Sequence, residues 1–371
     1  MQEDRQDFVP SASSRAINIF CRILTYLMIV PIAGGLAARW IDPQKWWFFG
    51  PLGDMYNIVS FAALLMAIAL LLMRTSRIIA ALLVVVIAVS HFPSRLIRTA
   101  PPATTSDIKV LTFNIPRGNE SQEVLARAEH LFVQQNADIV SMQETQLGVR
   151  VSTPDIMHGP PKVNHLLQKG GYSSVIAKRM DQSGEWFGLD LPVVAREQPS
   201  AHQEIIDADL LHGIASMYEL SVSKRMITVL NVHLATHGGD KPWANPSFRW
   251  YSLQMWSDVL KQWKAAYQLR ARQANILARL IAETDTPLVV TGDLNSAPRS
   301  WVYHKIKGPM QDVFGAVGSG WGATYHAALP IMRIDYVFIS HHFRPIGAAV
   351  VKSDREISDH LPVVARLQWR Q

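Results

Sequence analysis

The sequence predicts an α/β or α+β domain, a β-sheet covered by helices, that follows a region of about three membrane-spanning helices. Uncharged apolar runs crowd the first hundred residues, and a stretch rich in Pro, Thr and Ser follows them. From residue 108 onward, strand-like and helix-like patterns alternate along the chain. A chain of 371 residues is long enough for one large domain with such an appendage.

The first hundred residues are predicted to cross a membrane three times, near 17–39, 55–73 and 78–93. The three underlying apolar runs are close to the ~20 residues that a spanning helix needs, and flanking arginines such as Arg22 and Arg39 can snorkel to lengthen them. A buried helical hairpin is disfavoured because the runs present no polar face. A cleaved signal peptide is disfavoured because two more runs follow the first.

Short-loop charges predict the orientation of these helices. The connector 74–77 carries two arginines and is assigned to the cytoplasm together with the N-terminus, by five cations against four on the other side. The chain after the third span would then lie outside the cytoplasm. We therefore divide the chain into a membrane region, 1–94, a linker, 95–107, and a C-terminal domain, 108–371.

The elements of the C-terminal domain follow from apolar periodicity. Alternating or continuous apolar runs predict strands, and three- and four-residue spacing predicts helices. Strands are predicted over 108–113, 137–142, 211–220, 226–232, 287–292, 333–339 and 362–367, and helices over 123–135 and 269–282.

Composition excludes several classes of protein. The only cysteine, Cys21, excludes an intrachain disulfide and a zinc site built from several cysteines. The formal net charge of +6 is spread along the chain, which argues against a protein held to nucleic acid mainly by charge. An isoelectric point near 9.4 is a weak indication of anionic partners.

Polar residues recur where the predicted strands begin or end. Each one alone is explained by a turn or a cap, but six such places in one domain predict a functional site on strand-end loops. The residues are Asn114, Glu144, His233, Asp293 with Asn295, Asp335, and Asp359 with His360.

The sequence blocks that carry these residues occur in one order and resemble the endonuclease/exonuclease/phosphatase superfamily with the DNase I-like fold. The resemblance implies a four-layer α/β sandwich over about 108–368 and metal-dependent hydrolysis of a phosphoester. The helix around Arg270 and Gln273 is similar to the usual helix before the Gly-Asp-x-Asn strand. The blocks are Val110–Ile115, Asp138–Glu144, Asn231–Leu234, Thr291–Ser296, Arg333–Phe338 and Ser358–Val363.

The resemblance also implies a ligand set for a metal ion. Glu144 would be the principal ligand of Mg²⁺, with Mn²⁺ as the alternative ion, and Asn114 and Asp359 would assist it. Hard oxygen ligands of this kind suit Mg²⁺. Asp293 would orient or deprotonate the attacking water, and Asn295 would donate a hydrogen bond to the phosphate.

Two histidines complete the implied site. His360 would contact the phosphate as a cation, with Asp335 as the carboxylate that orients it. His233 would stabilise the transition state or protonate the leaving group. Both Asp293 and His360 remain candidates for the general base. Zinc bound by His233 and His237 is disfavoured because this segment lacks the helix and the glutamate of the usual zinc motif.

A tryptophan-rich segment, 243–267, departs from a minimal domain of this family. Leu253, Trp256, Leu260, Trp263 and Tyr267 fall at three- and four-residue steps and predict one helical stripe. Core packing is the favoured interpretation. The alternatives are a substrate rim near His233 and a surface that touches the bilayer.

These observations predict a membrane-anchored, metal-dependent phosphoesterase, most simply a phosphodiesterase. The alternatives are an extracytoplasmic nuclease and a membrane scaffold with a degenerate hydrolase fold. The expected partners are the lipid bilayer and a phosphoester substrate, which is a lipid, a nucleic acid or a small molecule; no obligate protein partner is evident. The expected location is the bacterial inner (plasma) membrane, multi-pass, with the catalytic domain in the periplasm.

Overall fold

The computed structural model describes twelve stretches of the chain: 12–72, 77–91, 107–115, 122–144, 171–172, 178–180, 186–188, 191–197, 199–206, 213–236, 247–353 and 355–370. The predicted linker lies outside the described residues except for Asp107. Most of the predicted connector 74–77 also lies outside them.

The helices fall into an N-terminal group and a group that covers the sheets. The first group is α1 (Ala12–Ala37), followed by a 3-10 turn (Ala38–Trp40), α2 (Phe49–Asp54), α3 (Tyr56–Leu72) and α4 (Arg77–His91). The second group is α5 (Gln122–Gln135), α6 (Leu253–Glu283), α7 (Trp301–Lys307) and α8 (Val313–Val317).

Thirteen strands are described. They are β1 (Ile108–Asn114), β2 (Ile139–Gln143), β3 (Lys178–Met180), β4 (Trp186–Gly188), β5 (Val193–Ala195), β6 (Ala201–Ile206), β7 (Gly213–Val222), β8 (Arg225–His233), β9 (Leu288–Asp293), β10 (Gln311–Asp312), β11 (Asp335–Ile339), β12 (Phe343–Val350) and β13 (Val363–Trp369).

Two mixed sheets form the domain. The first has the strand order β12-β13-β1-β2-β5, and the second has the order β10-β11-β9-β8-β7-β6. Within the first sheet β1 and β2 are parallel, and within the second β8 and β9 are parallel; the other described pairs are antiparallel. Strands β3 and β4 form a separate small ribbon.

The sheets pack face to face and carry helices on their outer faces. Apolar side chains of both sheets, among them Val110 and Ile139 of the first and Val229 and Val289 of the second, form the inner core. Helix α5 covers the outer face of the first sheet. Helices α6 and α7 cover the outer face of the second. The layers are therefore helix, sheet, sheet and helix, and the prediction of an α/β domain is confirmed.

The strands and helices that were predicted correctly are those with strong apolar patterns. All seven predicted strands are present with boundaries shifted by a few residues, and Asp335 opens β11 instead of lying inside it. Helix α6 begins at Leu253, so the tryptophan-rich stripe and the predicted helix 269–282 form one continuous helix of 31 residues. Some strands that the sequence did not predict, such as β5 and β10, are short. Another, β12, is interrupted by a register shift near Pro345.

The N-terminal helices support the three-span prediction only in part. One segment of 19 residues, Arg22–Trp40, is long and apolar enough to cross a membrane, with a mean hydropathy of 1.5 over 18 of its residues. Within the described residues the other two apolar helices, Tyr56–Leu72 and Arg77–Ser90, are shorter than the ~20 residues that a bilayer core requires. The residues 73–76 and 92–106 that adjoin them lie outside the described part of the chain.

Gly292 allows β8 and β9 to approach each other closely. A Cβ atom at this position would lie 1.9 Å from the carbonyl oxygen of Val232, and the backbone φ of +127° is one that residues with side chains rarely adopt. Because Gly292 precedes Asp293 and Val232 precedes His233, this contact sets the distance between two residues of the predicted site.

We expect Gly292→Ala to lower the free energy of unfolding by about 3 kcal/mol, because the methyl group collides with backbone and not with a movable side chain. Gly320 is a matched control, since its φ is +76° but no atom lies within 4 Å of the Cβ position. Gly320→Ala should cost about 1 kcal/mol, the conformational part alone. Denaturant unfolding of the full chain in detergent micelles measures both, and equal losses would contradict the steric argument.

Candidate active site

Strand register brings three predicted residues side by side on the second sheet. Asp293, the last residue of β9, pairs with His233 at the end of the parallel strand β8. It also pairs with Asp335 at the start of the antiparallel strand β11. Side chains at one register on neighbouring strands share a face and lie within contact distance. The sheet itself therefore assembles this half of the site.

The first sheet contributes Asn114 and Glu144 from the ends of two parallel strands. The Asn114 side-chain amide donates to Asp293 Oδ2 at 3.1 Å and to Glu144 Oε1 at 3.2 Å. His233 Nε2 lies 3.4 Å from the same Glu144 oxygen. Asn114 thus joins the two sheets at their open edge, and four of the predicted residues form one cluster.

A buried polar ladder between the sheets supports this edge. The Gln143 side chain, next to Glu144, donates to Asn231 Oδ1 at 2.6 Å and to Thr112 Oγ1 at 3.1 Å. The Asn231 amide donates in return to the carbonyl oxygen of Met142 at 2.8 Å. Because buried amides are costly without partners, these bonds fix the alignment of the two sheets directly beneath the site.

His360 enters the cluster from the segment before β13. Its Nδ1 lies 3.0 Å from Asp335 Oδ2, and its Nε2 lies 3.7 Å from Asp293 Oδ2. The Ser358 hydroxyl donates to the carbonyl oxygen of Asn114 and accepts from the His360 amide. Ser358 therefore holds His360 against the strand end that carries Asn114.

Burial and neighbouring charges together raise the pKa values of two groups in the site, Asp293 and His360. Burial raises the pKa of Asp293 to about 6, and the adjacent Asp335 adds to this rise, whereas His360 and His233 oppose it. Burial alone lowers the pKa of His360, but Asp335 and Asp293 outweigh it and raise the pKa to about 10. At neutral pH the site holds a protonated His360 beside a largely ionised Asp293.

Asn295 is placed by its backbone as much as by its side chain. Its φ of +47° lies in the left-handed region that asparagine tolerates better than most residues. Its backbone N–H donates to Asp293 Oδ1 at 2.7 Å, and its side-chain nitrogen donates to the carbonyl oxygen of Leu234 at 2.9 Å. The side-chain nitrogen carries two hydrogens, so one remains for the phosphate contact that the sequence predicted.

No described contact links Asp359 to the other predicted metal ligands, Asn114 and Glu144. Its carbonyl oxygen accepts from the Ala327 amide at 2.7 Å, and its charge contributes to the raised pKa of His360. Among the described contacts, its carboxylate joins neither the Asn114–Glu144 pair nor the buried group of Asp293, Asp335 and His360. Asp359 therefore remains a predicted ligand on sequence grounds alone.

The residues fit a divalent metal ion at the Asn114–Glu144 edge. Asn114 Oδ1 is buried and has no hydrogen-bond partner among the described atoms. Glu144 keeps a partly exposed carboxylate and holds a positive φ of 55°. Mg²⁺ prefers such oxygen ligands. Asp293, Asp335 and His360 also offer ligand atoms within 4.8 Å of one another, but a protonated His360 is a poor ligand.

Three residues that contact predicted site residues were assigned no role from sequence: Ser358, Arg270 and Tyr325. Ser358 was visible in the Ser-Asp-His motif, and Arg270 was visible as a basic residue on an otherwise apolar helix face. The ring of Tyr325 lies 5.0 Å from that of His360, but Tyr325 belongs to an irregular segment that carries no periodic signal.

The tryptophan-rich stripe is only partly a core element. Tyr267 is buried, whereas Leu253 and Leu260 are exposed, so core packing is wrong for the first half of the stripe. Trp250, also exposed, packs with Phe248 and Trp256 in a small aromatic cluster. The residues 237–246, which include His237 and Trp243, lie outside the described part of the chain.

Comparison of the sequence with protein families gives one match. A profile described as the Endonuclease/Exonuclease/phosphatase family matches residues 111–360, which span every predicted site residue. Comparison with functionally curated proteins returned no match.

Solved structures with a similar fold cover the same domain. An endonuclease/exonuclease/phosphatase family protein from Leptotrichia buccalis is 16% identical, with a TM-score of 0.50, over 71% of this chain and all of its own. The 3′ phosphatase NExo from Neisseria, bound to product DNA hairpin, is 18% identical with a TM-score of 0.49 over the same shares. A humanized D. rerio TDP2 is 14% identical with a TM-score of 0.45, again over 71% of this chain and all of its own. At this identity the likeness to the Leptotrichia protein shows the fold alone.

We expect Asp335→Asn to lower the pKa of His360 by about 1 to 3, because it removes the carboxylate nearest to the imidazolium. The unmodified protein should keep His360 protonated until the pH rises through about 10, and the variant should lose the proton at lower pH. Titration of ring-labelled histidines by NMR measures this directly. Asp359→Asn is the control, since Asp359 has the weaker influence; an unchanged His360 signal in Asp335→Asn would contradict the geometry.

Proposed function

The chain belongs to the Endonuclease/Exonuclease/phosphatase family, and on this premise we propose that it is a membrane-anchored, Mg²⁺-dependent phosphodiesterase. Members of the family are phosphoester hydrolases and generally use a divalent metal. The finer statements on the metal, the bond cleaved and the membrane form the proposal.

One observation carries the proposal: the sheet ends bring a cation, an ionisable base and two oxygen ligands, Asn114 and Glu144, into a single contact network. His360 bonds to Asp335, Asp293 lies 3.7 Å from His360, and Asn114 links Asp293 to Glu144. A scaffold with a degenerate site has no physical reason to keep three ionisable groups buried at such electrostatic cost.

His360 is proposed to bind a non-bridging phosphoryl oxygen. Asp335 accepts the hydrogen bond from Nδ1, so the imidazolium is held in one orientation and its Nε2 proton points toward Asp293 and the site. A cation fixed in this way stabilises charge that develops on the phosphoryl oxygens, without reorganising during the reaction.

Of the two candidates for the general base, Asp293 and His360, we propose Asp293. With a pKa raised to about 10, His360 holds its proton at neutral pH and is unsuited to accept another. Asp293 has a pKa raised to about 6, close to the value at which a base is both ionised and able to accept a proton. It would take the proton from the attacking water, and the bond to the Asn295 amide orients its carboxylate.

His233 and Asn295 are proposed to act on the leaving group and the phosphate. His233 Nε2 is buried, has no hydrogen-bond partner among the described atoms, and lies between Glu144 and Asp293. A protonated His233 could give its proton to the leaving oxygen. Asn295 would donate its second amide hydrogen to a phosphoryl oxygen.

Glu144 and Asn114 are proposed to hold Mg²⁺, with Asp359 as a further predicted ligand. A bound divalent ion polarises phosphoryl oxygens and neutralises their developing charge. The chain's own contribution at this edge is the fixed direction of the two ligand side chains, which Gln143 and the ladder to Asn231 maintain.

Anchoring in a membrane is supported by apolar side chains that the structure leaves uncovered. Helix α1 and the 3-10 turn after it carry the segment Arg22–Trp40, and large apolar side chains of α3 and α4, such as Phe61 and Val89, are exposed as well. Exposed apolar surface of this extent needs apolar surroundings. We propose that the three helices sit together in a bacterial inner membrane with the catalytic domain on the periplasmic side.

A phosphodiester in the plane of the membrane is the proposed substrate. Tethering raises the effective concentration of a membrane-borne substrate over that of a soluble one. The evenly distributed net charge of +6 provides no basic stripe of the kind that binds duplex DNA. A lipid phosphodiester therefore ranks above a nucleic acid.

We expect the full chain in lipid nanodiscs to release p-nitrophenol from bis-p-nitrophenyl phosphate with Mg²⁺ and to stop in EDTA. Glu144→Gln and His360→Gln should each lower kcat/KM by at least about 100-fold, since one removes a ligand charge and the other the phosphate-binding cation. His341→Gln is the matched control, because His341 is an exposed turn residue beyond the end of β11 opposite to Asp335. Faster cleavage of the monoester p-nitrophenyl phosphate would replace the diesterase assignment with a phosphatase.

The proposed topology is tested separately. A C-terminal fusion to a reporter that is active only outside the cytoplasm should give activity in intact cells. The matching fusion to a reporter that is active only in the cytoplasm should be silent. Activity of the cytoplasmic reporter would place the catalytic domain inside the cell and overturn this part of the proposal.

A further inference from the structure

A buried ion pair joins the N-terminal helices to the catalytic domain. Asp54, the last residue of α2, and Arg270, in the middle of α6, have side chains that are 1% and 0% exposed. Asp54 Oδ2 lies 3.8 Å from Arg270 Nη2, while Asp54 Oδ1 accepts from the Ala297 amide at 2.7 Å. The carboxylate of Asp54 therefore contacts both helix α6 and the loop after β9. The N-terminal helices and the C-terminal domain are the two modules that this residue joins.

Arg270 continues this connection into the site. Its Nη1 donates to the carbonyl oxygen of Asn295 at 2.8 Å and to that of Ala235 at 3.4 Å. Asn295 follows Asp293 by two residues, and Ala235 follows His233 by two. One guanidinium thus ties together the loops that leave β8 and β9, each directly after a proposed catalytic residue.

Close packing holds Asp54 in this position. Gly50 of α2 meets the ring of Tyr267, and a Cβ atom on Gly50 would lie only 2.2 Å from that ring. The Arg270 guanidinium stacks 4.3 Å from the centre of the Tyr267 ring, and Tyr267 opposes the rise in the pKa of the buried Asp54 carboxyl. Asp54, Tyr267 and Arg270 therefore form a single packed unit and not an incidental surface pair.

Further contacts keep the two modules together around this unit. Arg299 stacks 4.3 Å from the ring centre of Tyr56 and donates to the carbonyl oxygen of Ser90. The Gln268 side chain donates to the carbonyl oxygen of Gln44 at 3.1 Å. Because these contacts are separate from Arg270, they provide controls for a general loosening of the junction.

The charges of Asp54 and Arg270 depend on each other. Burial raises the pKa of Asp54, and the Arg270 charge and the Ala297 amide oppose this rise. A buried guanidinium needs an anion, and carbonyl oxygens supply only partial charge. Without the Asp54 charge, the buried position in which Arg270 bonds Asn295 and Ala235 becomes less favourable for the guanidinium.

We propose that Asp54 is a positioning residue for the reaction: through Arg270, the membrane region sets the geometry of the loops that carry Asn295 and follow His233. This inference rests on the proposed phosphodiesterase function. It assigns to the N-terminal helices a part in building the active site, beyond that of a tether.

The test is Asp54→Asn in the full chain, assayed in nanodiscs with bis-p-nitrophenyl phosphate and Mg²⁺. Asparagine keeps the shape and an acceptor for the Ala297 amide but removes the charge. We expect kcat to fall at least 10-fold with KM changed less than 2-fold, because a displaced Asn295 loop affects the transition state more than the binding of a small substrate. Hydrogen exchange of peptides that cover 293–297 and 233–236 should become faster.

Two variants separate this role from a merely structural one. Gln268→Ala removes a junction hydrogen bond without touching Arg270, and it should leave kcat and both exchange rates unchanged. In the double variant Asp54→Asn with Arg270→Gln, the loss of kcat should not exceed that of Arg270→Gln alone, since both residues act through one contact. Multiplied losses would contradict the relay.

The outcomes for the inference and for the function are distinguishable. If the unmodified chain cleaves no phosphoester, the proposed function fails, while the exchange rates of the two loops still test the coupling. If the chain is active and Asp54→Asn matches it in kcat and in loop exchange, the inference is overturned and the function stands. Should Asp54→Asn not accumulate, Arg270→Lys, which keeps a positive charge but lacks the guanidinium that bonds both carbonyl oxygens, should lower kcat and speed exchange of the two loops; unchanged kcat and exchange would overturn the inference.

Discussion

The structure depends on one constraint: two sheets pack face to face, and the polar groups at their buried strand ends have to find partners across the gap. The amides of Gln143 and Asn231 meet this need, and Asn114 extends the same line of bonds to Asp293 at the rim. Because each buried amide would be costly without its partner, the ladder permits one alignment of the sheets. That alignment is what brings the strand ends together as a site.

The same edge concentrates charge in a way that a purely structural core would avoid. Two buried carboxylates, Asp293 and Asp335, lie beside one another on adjacent strands, and the His360 cation offsets part of their repulsion. This balance gives Asp293 and His360 pKa values on opposite sides of neutrality. The proposed acid–base roles are therefore a consequence of burial and register and do not require special loops.

How much of this could be predicted follows the strength of local signals. Long apolar runs predicted β1, β8 and β9, and the motifs predicted every member of the cluster from Asn114 to His360. Strands such as β5 and β10 have three and two residues, and they exist only because a neighbouring strand supplies their hydrogen bonds. Among the described residues one N-terminal segment has the length and hydropathy of a spanning helix, so the count of three spans stays a prediction.

Ordered motifs and the periodicity of apolar residues were enough to predict the family, the α/β class and the candidate site residues. Which of those side chains touch follows from the packing of the two sheets. That packing joins Asn114 to Glu144, and it buries His360 beside Asp335, which raises the pKa of His360 to about 10. The tertiary structure also joins Asp54 to Arg270 across more than two hundred residues of chain. No local pattern encodes that pair, because the two charges attract each other strongly only where water is excluded from both, which occurs only when the two modules pack.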